Sequence, residues 1–486
     1  MSLLPFLAVA FGIGGLSLLT RGQGRTSATI GIAGLAMATL AAAFIGPDQP
    51  LTVADGAIAG SAFARLFLLL GCVTGLLLCL AAGATTWSRG FPGATLIGLG
   101  GAGLALGLVD TGTAIAAATA GAGAGILLML ARPVSPRSLV VAARELRALV
   151  VAGALGLAAA AAVAGPLAAV RLNPELIGLA YLAFATAVAI RFGAIPFHLW
   201  AARVADAAPE IGLPLVMAWC PAAFATVALA WADGAVAPLA QPLSLERGLV
   251  LAIGAVTVAL GAAAAFVHDD LEHVVGYSIV ADAGIVILGL AALDPAAWEP
   301  TRTWLLAFVA GKSAFAGWAA ALGSTFGTRK LSELRGWARR SPILGIALVA
   351  IAVAAVGLPG MAAFGARVSL IDLAVDGPLV TLLVVAALAS LAYYGRLLAA
   401  GLLAPGAGPV AAAPDAPTRY RDPLTATLLG DAIAAISARR APVAAGAVLA
   451  LAAIALAVAG GGLGVREAAA SLPPSVGAPA ESFSPP

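Results

Sequence analysis

The segment from Ala189 to Trp200 reads Ala-Ile-Arg-Phe-Gly-Ala-Ile-Pro-Phe-His-Leu-Trp and ends an apolar run long enough to cross a bilayer as a helix. Arg191 lies inside this run, where a charge is costly unless it faces protein or water. Gly193 and Pro196 then interrupt the helical hydrogen bonds, which neighbouring groups must replace. The pattern predicts a broken membrane helix with an internal cation, as in the ion sites of transporters. An arginine that snorkels from a helix end is the alternative.

The composition sets the class of protein. The chain has 486 residues, of which 62% are hydrophobic and only 10% charged, whereas about a quarter of the residues of a soluble domain are charged. The apolar runs are continuous and do not alternate as the strands of a membrane β-barrel would. No cluster of basic and aromatic residues suggests a nucleic-acid site. We therefore predict an all-α, polytopic membrane protein that does not bind nucleic acid.

The apolar runs predict about fourteen transmembrane helices. They lie near residues 3–20, 27–46, 58–83, 91–109, 111–131, 146–166, 174–195, 212–232, 246–267, 273–293, 303–323, 342–374, 378–402 and 441–462. The twelfth run is too long for one straight helix. Gly357, Pro359 and Gly360 lie at its centre, so it is predicted to be two half-helices around a break.

The distribution of Lys and Arg predicts the orientation. Eighteen of them fall on one set of alternate loops and four on the other, and the remaining four, Arg65, Arg191, Lys312 and Arg367, fall within spans. Basic loops face the cytoplasm. A multi-pass protein of the inner (cytoplasmic) membrane is therefore expected, with both termini on the non-cytoplasmic side.

The broken seventh and twelfth spans are five spans apart, and each carries one cation. This spacing predicts two five-helix inverted repeats with a site in each. The predicted divisions are three N-terminal helices (1–90), a first repeat (91–232), a second repeat (246–402), a cytoplasmic loop with an amphipathic segment at Leu424–Ile436 (403–440), a last helix (441–462) and a disordered tail (463–486).

Asp282 and Lys312 lie in consecutive predicted spans, the tenth and the eleventh. Antiparallel neighbours can bring them together, and mutual compensation is the usual reason that such groups persist in a membrane. The pair would be either a structural ion pair or part of a proton relay, and the sequence leaves both open. Arg65, early in the third span, is expected to snorkel to the membrane surface.

Three other features are given structural interpretations. Glu145 stands between Arg144 and Arg147 at the predicted start of the sixth span, where a solvated charge cluster is expected. His268–His273 offers metal-ligand residue types, but they are too close on one turn for a single site. Gly98–Gly103 matches a dinucleotide-binding pattern but has no preceding strand, so it is read as close helix packing. The sequence shows no catalytic triad, metal site or cofactor motif.

With these residues in hand, the chain resembles the antiporter-like membrane subunits of respiratory complex I, related hydrogenases and Mrp-type antiporters. The N-type subunit of complex I is the most similar of these in length and span number. The resemblance extends over roughly residues 60 to 400 and is carried by Arg191–Pro209, Asp270–Gly284, Gly311–Phe315, Gly357–Arg367 and the pair Tyr393-Tyr394. It implies a proton-moving subunit without its own cofactor, held among other membrane subunits of a redox-driven NADH:quinone oxidoreductase type of complex.

The resemblance also implies a proton pathway, and the chain departs from the family along it. By resemblance the pathway residues are Arg191, Asp282, Lys312 and Arg367, with His198, Glu145, Glu272 and His273 as accessory candidates. Arg191 stands where the family carries a lysine, and an arginine does not release its proton. The fifth span, Thr111–Ala131, lacks the acid that would pair with that lysine, and Cys220 lies where another lysine is expected. Glu272-His273 replaces a Lys-Arg pair, and Asp282 falls at a position often held by histidine.

Three functions remain open at this point. The chain can be a proton-translocating subunit with altered carriers, with or without one degenerate channel. It can be a scaffold subunit that keeps the fold and has lost conduction. An Mrp-like sodium/proton antiporter is the third reading, disfavoured because the spans offer only Asp282 as a clear acid for sodium coordination.

Overall fold

The computed structural model describes residues 2–46, 51–53, 56–82, 90–130, 136–163, 173–208, 210–237, 243–375, 384, 388–403 and 440–471. Leucine and alanine dominate these residues, and both favour helix at little conformational cost. The helices are α1 (Leu4–Leu19), α2 (Gly24–Ala43), α3 (Ala62–Ala82), α4 (Phe91–Gly107), α5 (Thr111–Leu130), α6 (Pro136–Val163), α7 (Pro174–Phe192), α8 (Leu199–Ala207), α9 (Cys220–Trp231), α10 (Ser244–Val267), α11 (Leu271–Ala292), α12 (Trp298–Phe326), α13 (Trp337–Arg340), α14 (Pro342–Val356), α15 (Ala362–Ala374), α16 (Ser390–Leu402), α17 (Arg440–Ala459) and α18 (Val465–Ala470).

The prediction of a polytopic helical membrane protein is confirmed. Ten helical segments of the described chain are long and apolar enough to cross a membrane, and α1, α4 and α14 are shorter apolar helices. One of the ten runs over Glu210–Val236, where π-helical turns flank α9. The total of fourteen stays a prediction, because much of the thirteenth span lies outside the described residues.

Both predicted breaks are present. Helix α7 ends at Phe192 and the chain resumes as α8 at Leu199, while α14 ends at Val356 and α15 begins at Ala362. The seventh span is the fourth helix of the first repeat, and the twelfth span is the fourth of the second. The predicted first repeat has an odd number of spans, so the prediction that the two repeats are inverted requires them to enter the membrane from opposite sides, and this stays a prediction.

One end of the bundle is held by contacts between three connecting segments, and we call it the basic face. It comprises Ala208, Glu210 and residues 268–270 and 327–336, and the name refers to the Lys- and Arg-rich set of predicted loops to which this end belongs. Leu271 N donates to Arg329 O at 3.0 Å, and Leu331 N donates to Asp269 O at 2.8 Å. These bonds occupy backbone groups that the helix ends leave free.

The predicted interpretation of the Gly98–Gly103 segment as helix packing agrees with the structure. A Cβ on Gly101 would lie 2.3 Å from the Cα of Gly121, so α4 and α5 cross with their backbones nearly in contact. Such close approach is a common way to pack helices in lipid.

The structure differs from the prediction at several elements. Helix α6 begins at Pro136, ten residues before the predicted start at 146. A short antiparallel hairpin joins β1 (Leu51–Val53) to β2 (Gly56–Ile58), which the all-α prediction did not include. Leu51 pairs with Ile58 and Val53 with Gly56, so the two strands satisfy each other's backbone groups.

The predicted tail also begins with ordered structure. Val465–Ala470 form α18, which packs against α3, and Arg302 Nε donates to Ala469 O at 2.5 Å. Arg302 is one of the four basic residues that the sequence places on the less basic set of loops, and it is instead buried in α12. The predicted amphipathic segment Leu424–Ile436 and the tail from residue 472 lie outside the described residues.

Candidate functional site at the two helix breaks

The first break is formed by a glycine turn. Gly193 has φ of 62°, in the left-handed region where a side chain is strained. Gly193 N donates to Ile190 O at 3.0 Å and Ala194 N donates to Ala189 O at 2.8 Å, which satisfies the last carbonyls of α7. The Trp200 indole also donates to Ile190 O at 2.9 Å. The break is therefore a capped helix end, with Pro196 in the turn that leads to α8.

Arg191 lies one turn before this break and points into protein. The residue is 1% exposed, so the alternative of a snorkelling arginine is wrong. Among the described residues, none of its three guanidinium nitrogens has a hydrogen-bond partner. The side chains that interact with it electrostatically are Glu145 and Cys220. A buried guanidinium without direct partners is costly unless water or a nearby anion compensates it.

Glu145 is the acid that interacts with Arg191, and the prediction that it belongs to a solvated charge cluster was wrong. The residue is 1% exposed, because α6 begins early and Glu145 falls within the helix. It lies on a buried stripe with Val141, Ala142, Leu149 and Ala152, whereas Arg144 and Arg147 face outward. The helical spacing of this stripe is the sequence signal that could have placed Glu145 inside.

The second break is closed by a side chain from the following half-helix. Gly357 and Gly360 have φ of 77° and 95°, which lets the chain turn between α14 and α15. Arg367 of α15 reaches back, and its Nη2 donates to Ala355 O at 2.6 Å. Its guanidinium also lies 4.5 Å from the centre of the Trp304 ring. Arg367 therefore caps the carboxyl end of α14, where a cation is favoured.

Asp282 and Lys312 form a buried ion pair next to this break. Lys312 Nζ lies 2.7 Å from Asp282 Oδ2, and the two side chains are 1% and 8% exposed. The structure thus brings together the two residues that the sequence placed on neighbouring antiparallel helices. Arg367 also interacts electrostatically with Asp282, so one carboxylate stands between two cations.

A narrow cleft adjoins this pair. Its lining consists of Asp282, Trp304, Ala307, Phe308, Gly311, Lys312, Ala354 and Ala355. The space is too tight for a water molecule in this conformation. Entry of water to the pair therefore requires movement of side chains or of the half-helices.

Direct contacts join the two breaks. The Phe192 ring, next to Arg191, meets the Phe308 ring edge-on with centres 5.9 Å apart. The Trp219 indole, next to Cys220, donates to Ser313 Oγ at 2.9 Å. Both contacts lead to α12, so α12 touches the first site on one side and carries Lys312 of the second.

The accessory candidates lie apart from the ion pair. Glu272 contacts Arg329, which also binds Glu210 at 2.5 Å, and His273 Nε2 lies 3.4 Å from Asp206 Oδ1. These groups are at the basic face, about 15 Å along α11 from Asp282.

His198 precedes α8 and is partly exposed. Arg65 is also partly exposed, as expected. Within the described residues no group of three or more potential ligands is arranged to hold a metal ion.

The polar groups at the basic face surround a larger cavity of about 540 Å³. Glu210, Asp270, Arg329, Lys330 and Glu333 are among its lining residues. Glu210 is buried at the start of the eighth span, and sequence reasoning missed it. Glu210 follows the sequence Ala-Ala-Pro, and nothing there signals its contact with Arg329, which is 119 residues away.

A helical bundle with a broken helix in each half and a buried cation at each break belongs to the class of polytopic membrane proteins built from repeats. Comparison with known proteins narrows the class. Residues 99–392, more than half of the chain, match the family described as "NADH:quinone oxidoreductase/Mrp antiporter, TM". The chain belongs to this family.

Curated relatives are subunits of one kind. The NADH-quinone oxidoreductase subunit N 2 of Solidesulfovibrio magneticus is 33% identical over 224 residues, which are 46% of this chain and 45% of that protein. The subunit N of Nitrosomonas europaea is 25% identical over 229 residues, which are 46% of each chain. The chain thus matches somewhat less than half the length of these relatives.

Solved structures share the fold over nearly the whole chain. A chain of respiratory complex I from Thermus thermophilus with bound aureothin has a TM-score of 0.67 at 20% identity, covering 95% of this chain and 98% of that one. A chain of the Mrp complex from Dietzia sp. DQ12-45-1b has a TM-score of 0.70 at 20% identity, covering 96% of each. At this identity the likeness shows the fold alone.

Proposed function

We propose that this chain is a proton-translocating membrane subunit of a redox-driven, complex I-like NADH:quinone oxidoreductase complex. It would lie in the inner (cytoplasmic) membrane among other membrane subunits, with both termini on the non-cytoplasmic side. The observation that carries the proposal is the buried pair of Lys312 and Asp282 beside the broken twelfth span. The curated relatives named as subunit N support the choice of complex.

The chemistry follows from the charges at the pair. Lys312 can bind and release a proton, and Asp282 stabilises its charged form. Arg367 keeps its charge and holds the break closed from one side. When the half-helices admit water, Lys312 exchanges a proton with it, and when they exclude water, the ion pair reforms. No cofactor in this chain is required for that exchange.

The test is reconstitution of the assembled complex in vesicles, with proton uptake measured per electron pair. Lys312→Ala and Asp282→Asn should lower the stoichiometry. Lys330→Ala and Asp372→Asn are the controls, because both side chains are exposed, Lys330 in the segment that follows α12 and Asp372 on α15. Unchanged stoichiometry in both site variants would remove Lys312 and Asp282 from the proton pathway.

The second candidate is an Mrp-like sodium/proton antiporter, which the description of the matching family, "NADH:quinone oxidoreductase/Mrp antiporter, TM", supports. The two functions differ in their dependence on the cation. Proton movement that follows electron transfer and is indifferent to sodium supports the first function. Proton movement that requires a sodium gradient and no electron donor supports the second.

A further inference from the structure

We propose that Glu145 is the proton-exchanging group of the first broken helix, with Arg191 as its fixed counter-charge and internal water between them. This rests on the function proposed above and assigns the carrier in the first repeat. The side chain of Glu145 comes from α6, not from the fifth span where the resemblance implied an acid. The two repeats then share one design, in which a permanent guanidinium at the break stands beside a group that can change its protonation.

The position of Glu145 is built into the packing. A Cβ on Gly125 of α5 would lie 2.6 Å from Glu145 Oε1 and 2.8 Å from a methyl carbon of Val216. The absence of a side chain at Gly125 therefore provides the space that the carboxylate occupies. A larger residue at this position would contact the end of the Glu145 side chain and would therefore displace the carboxylate.

The unsatisfied atoms point to water. Glu145 Oε2 has no hydrogen-bond partner among the described residues, and the same is true of Nε, Nη1 and Nη2 of Arg191. The two groups nevertheless interact electrostatically across the interface of α6 and α7. Buried polar atoms are almost always hydrogen-bonded, and where protein does not supply the partner, an ordered water does.

The surroundings leave one group for proton exchange. Helix α5 carries no titratable side chain, and the exposed positions Arg203 and Asp206 of α8 face away from the core. Cys220 shares the site but is a buried structural thiol, which is inert, and an arginine such as Arg191 stays protonated. A hydronium ion reaching the site gives its proton to a carboxylate oxygen of Glu145 and leaves a water molecule. The reverse step returns that proton to water on the other side.

The first experiment measures proton uptake per electron pair in the reconstituted complex. Glu145→Gln should lower the stoichiometry. Gly125→Ala should lower it as well, since it keeps the charge and moves the carboxylate. Gly123→Ala, on the same helix, is the matched control, because a Cβ at Gly123 would meet nothing within 4 Å. It should behave as the wild type.

The outcomes separate the two proposals. If Lys312→Ala loses pumping while Glu145→Gln and Gly125→Ala pump as the wild type does, the role of Glu145 is overturned and the proposed function stands. Loss in the Glu145 and Gly125 variants, with Gly123→Ala unaffected, supports it.

A second measurement is independent of pumping. Infrared spectra of the full chain in lipid nanodiscs should contain a carboxyl band that shifts in D2O, is absent from Glu145→Gln and is retained in Asp282→Asn. A chain without such a Glu145 band, or with a band that does not shift in D2O, overturns the proposal, whatever the complex pumps.

Discussion

The indole of Trp219 donates a hydrogen bond of 2.9 Å to Ser313 Oγ, and these residues are the sequence neighbours of Cys220 and Lys312. One bond therefore joins the environments of the two broken helices. The Ser313 hydroxyl in turn donates a hydrogen bond to Val309 O at 2.8 Å, so it acts as both acceptor and donor.

We expect Trp219→Phe to lower the free energy of unfolding by about 1 kcal/mol beyond any change in packing, because it removes a buried donor. Trp219 also packs edge-on against Phe67 with ring centres 4.8 Å apart, and phenylalanine keeps an aromatic ring there. A double-mutant cycle with Ser313→Ala in a thermal unfolding assay measures the coupling. Additive effects of the two variants would mean that the hydrogen bond does not connect the sites.

Removing Asp282 should destabilise the protein more than removing Lys312. Asp282→Asn leaves Lys312 and Arg367 as two neighbouring buried cations, whereas Lys312→Met leaves Asp282 with Arg367. Breaking a buried pair from one side costs about 3–5 kcal/mol, and only the aspartate variant adds repulsion between like charges. Thermal unfolding in nanodiscs should rank the variants, with the double variant Asp282→Asn/Lys312→Met more stable than Asp282→Asn. The opposite order would mean that Arg367 does not share the carboxylate.

Stability at the basic face should depend on pH through His268. Its ring stacks between His273 and Tyr277, with ring centres 4.9 Å apart in each case. Desolvation lowers the pKa of His268 below its ordinary value of 6.5, and the charges of His273 and Arg396 act in the same direction, against Asp270. The unfolded loop then binds more protons than the folded one as pH falls below 6.5. Local stability is therefore complete above that pH and lost on acidification.

Hydrogen exchange of the amides at residues 268–272 and 327–332 measures this effect. Protection of these amides from exchange should fall in the wild type as the pH is lowered from 7.5. It should change less in His268→Gln. His198→Gln, at the start of α8, should keep the wild-type profile. An unchanged pH profile in His268→Gln would assign the effect to another group.

The basic face should be cytoplasmic. Arg339 is exposed in the segment that follows α12, and Glu467 is exposed on α18 at the other end of the bundle. A membrane-impermeant maleimide should label Glu467→Cys in intact cells and Arg339→Cys only in inverted vesicles. Native Cys72 and Cys220 are buried, and the unsubstituted chain gives the background from Cys79. Labelling from the opposite sides would reverse the orientation given by the basic loops.

The sequence predicted those parts of the site that depend on local signals. Gly193 and Gly357 can turn the chain because of their own conformational freedom. Asp282 and Lys312 lie on helices joined by a short connection, so their contact follows from chain order. Glu145 was predicted to be solvated because apolar residues alone place the start of that span ten residues too late. The actual start of α6 is set by packing. The contact of Trp219 with Ser313 spans 94 residues, and no pattern along the chain encodes it.

The last long helix has a consequence for biosynthesis. Helix α17 packs against α3, α12 and α14, and Ser471 accepts a hydrogen bond from Phe63 N at 3.0 Å. A ribosome makes this helix after α3, α12 and α14, so the groove that it fills stays open until α17 has been synthesised. Helices α3 and α12 already contact each other, so the surfaces of α3, α12 and α14 that α17 covers must face lipid until α17 enters the membrane and Ser471 reaches Phe63.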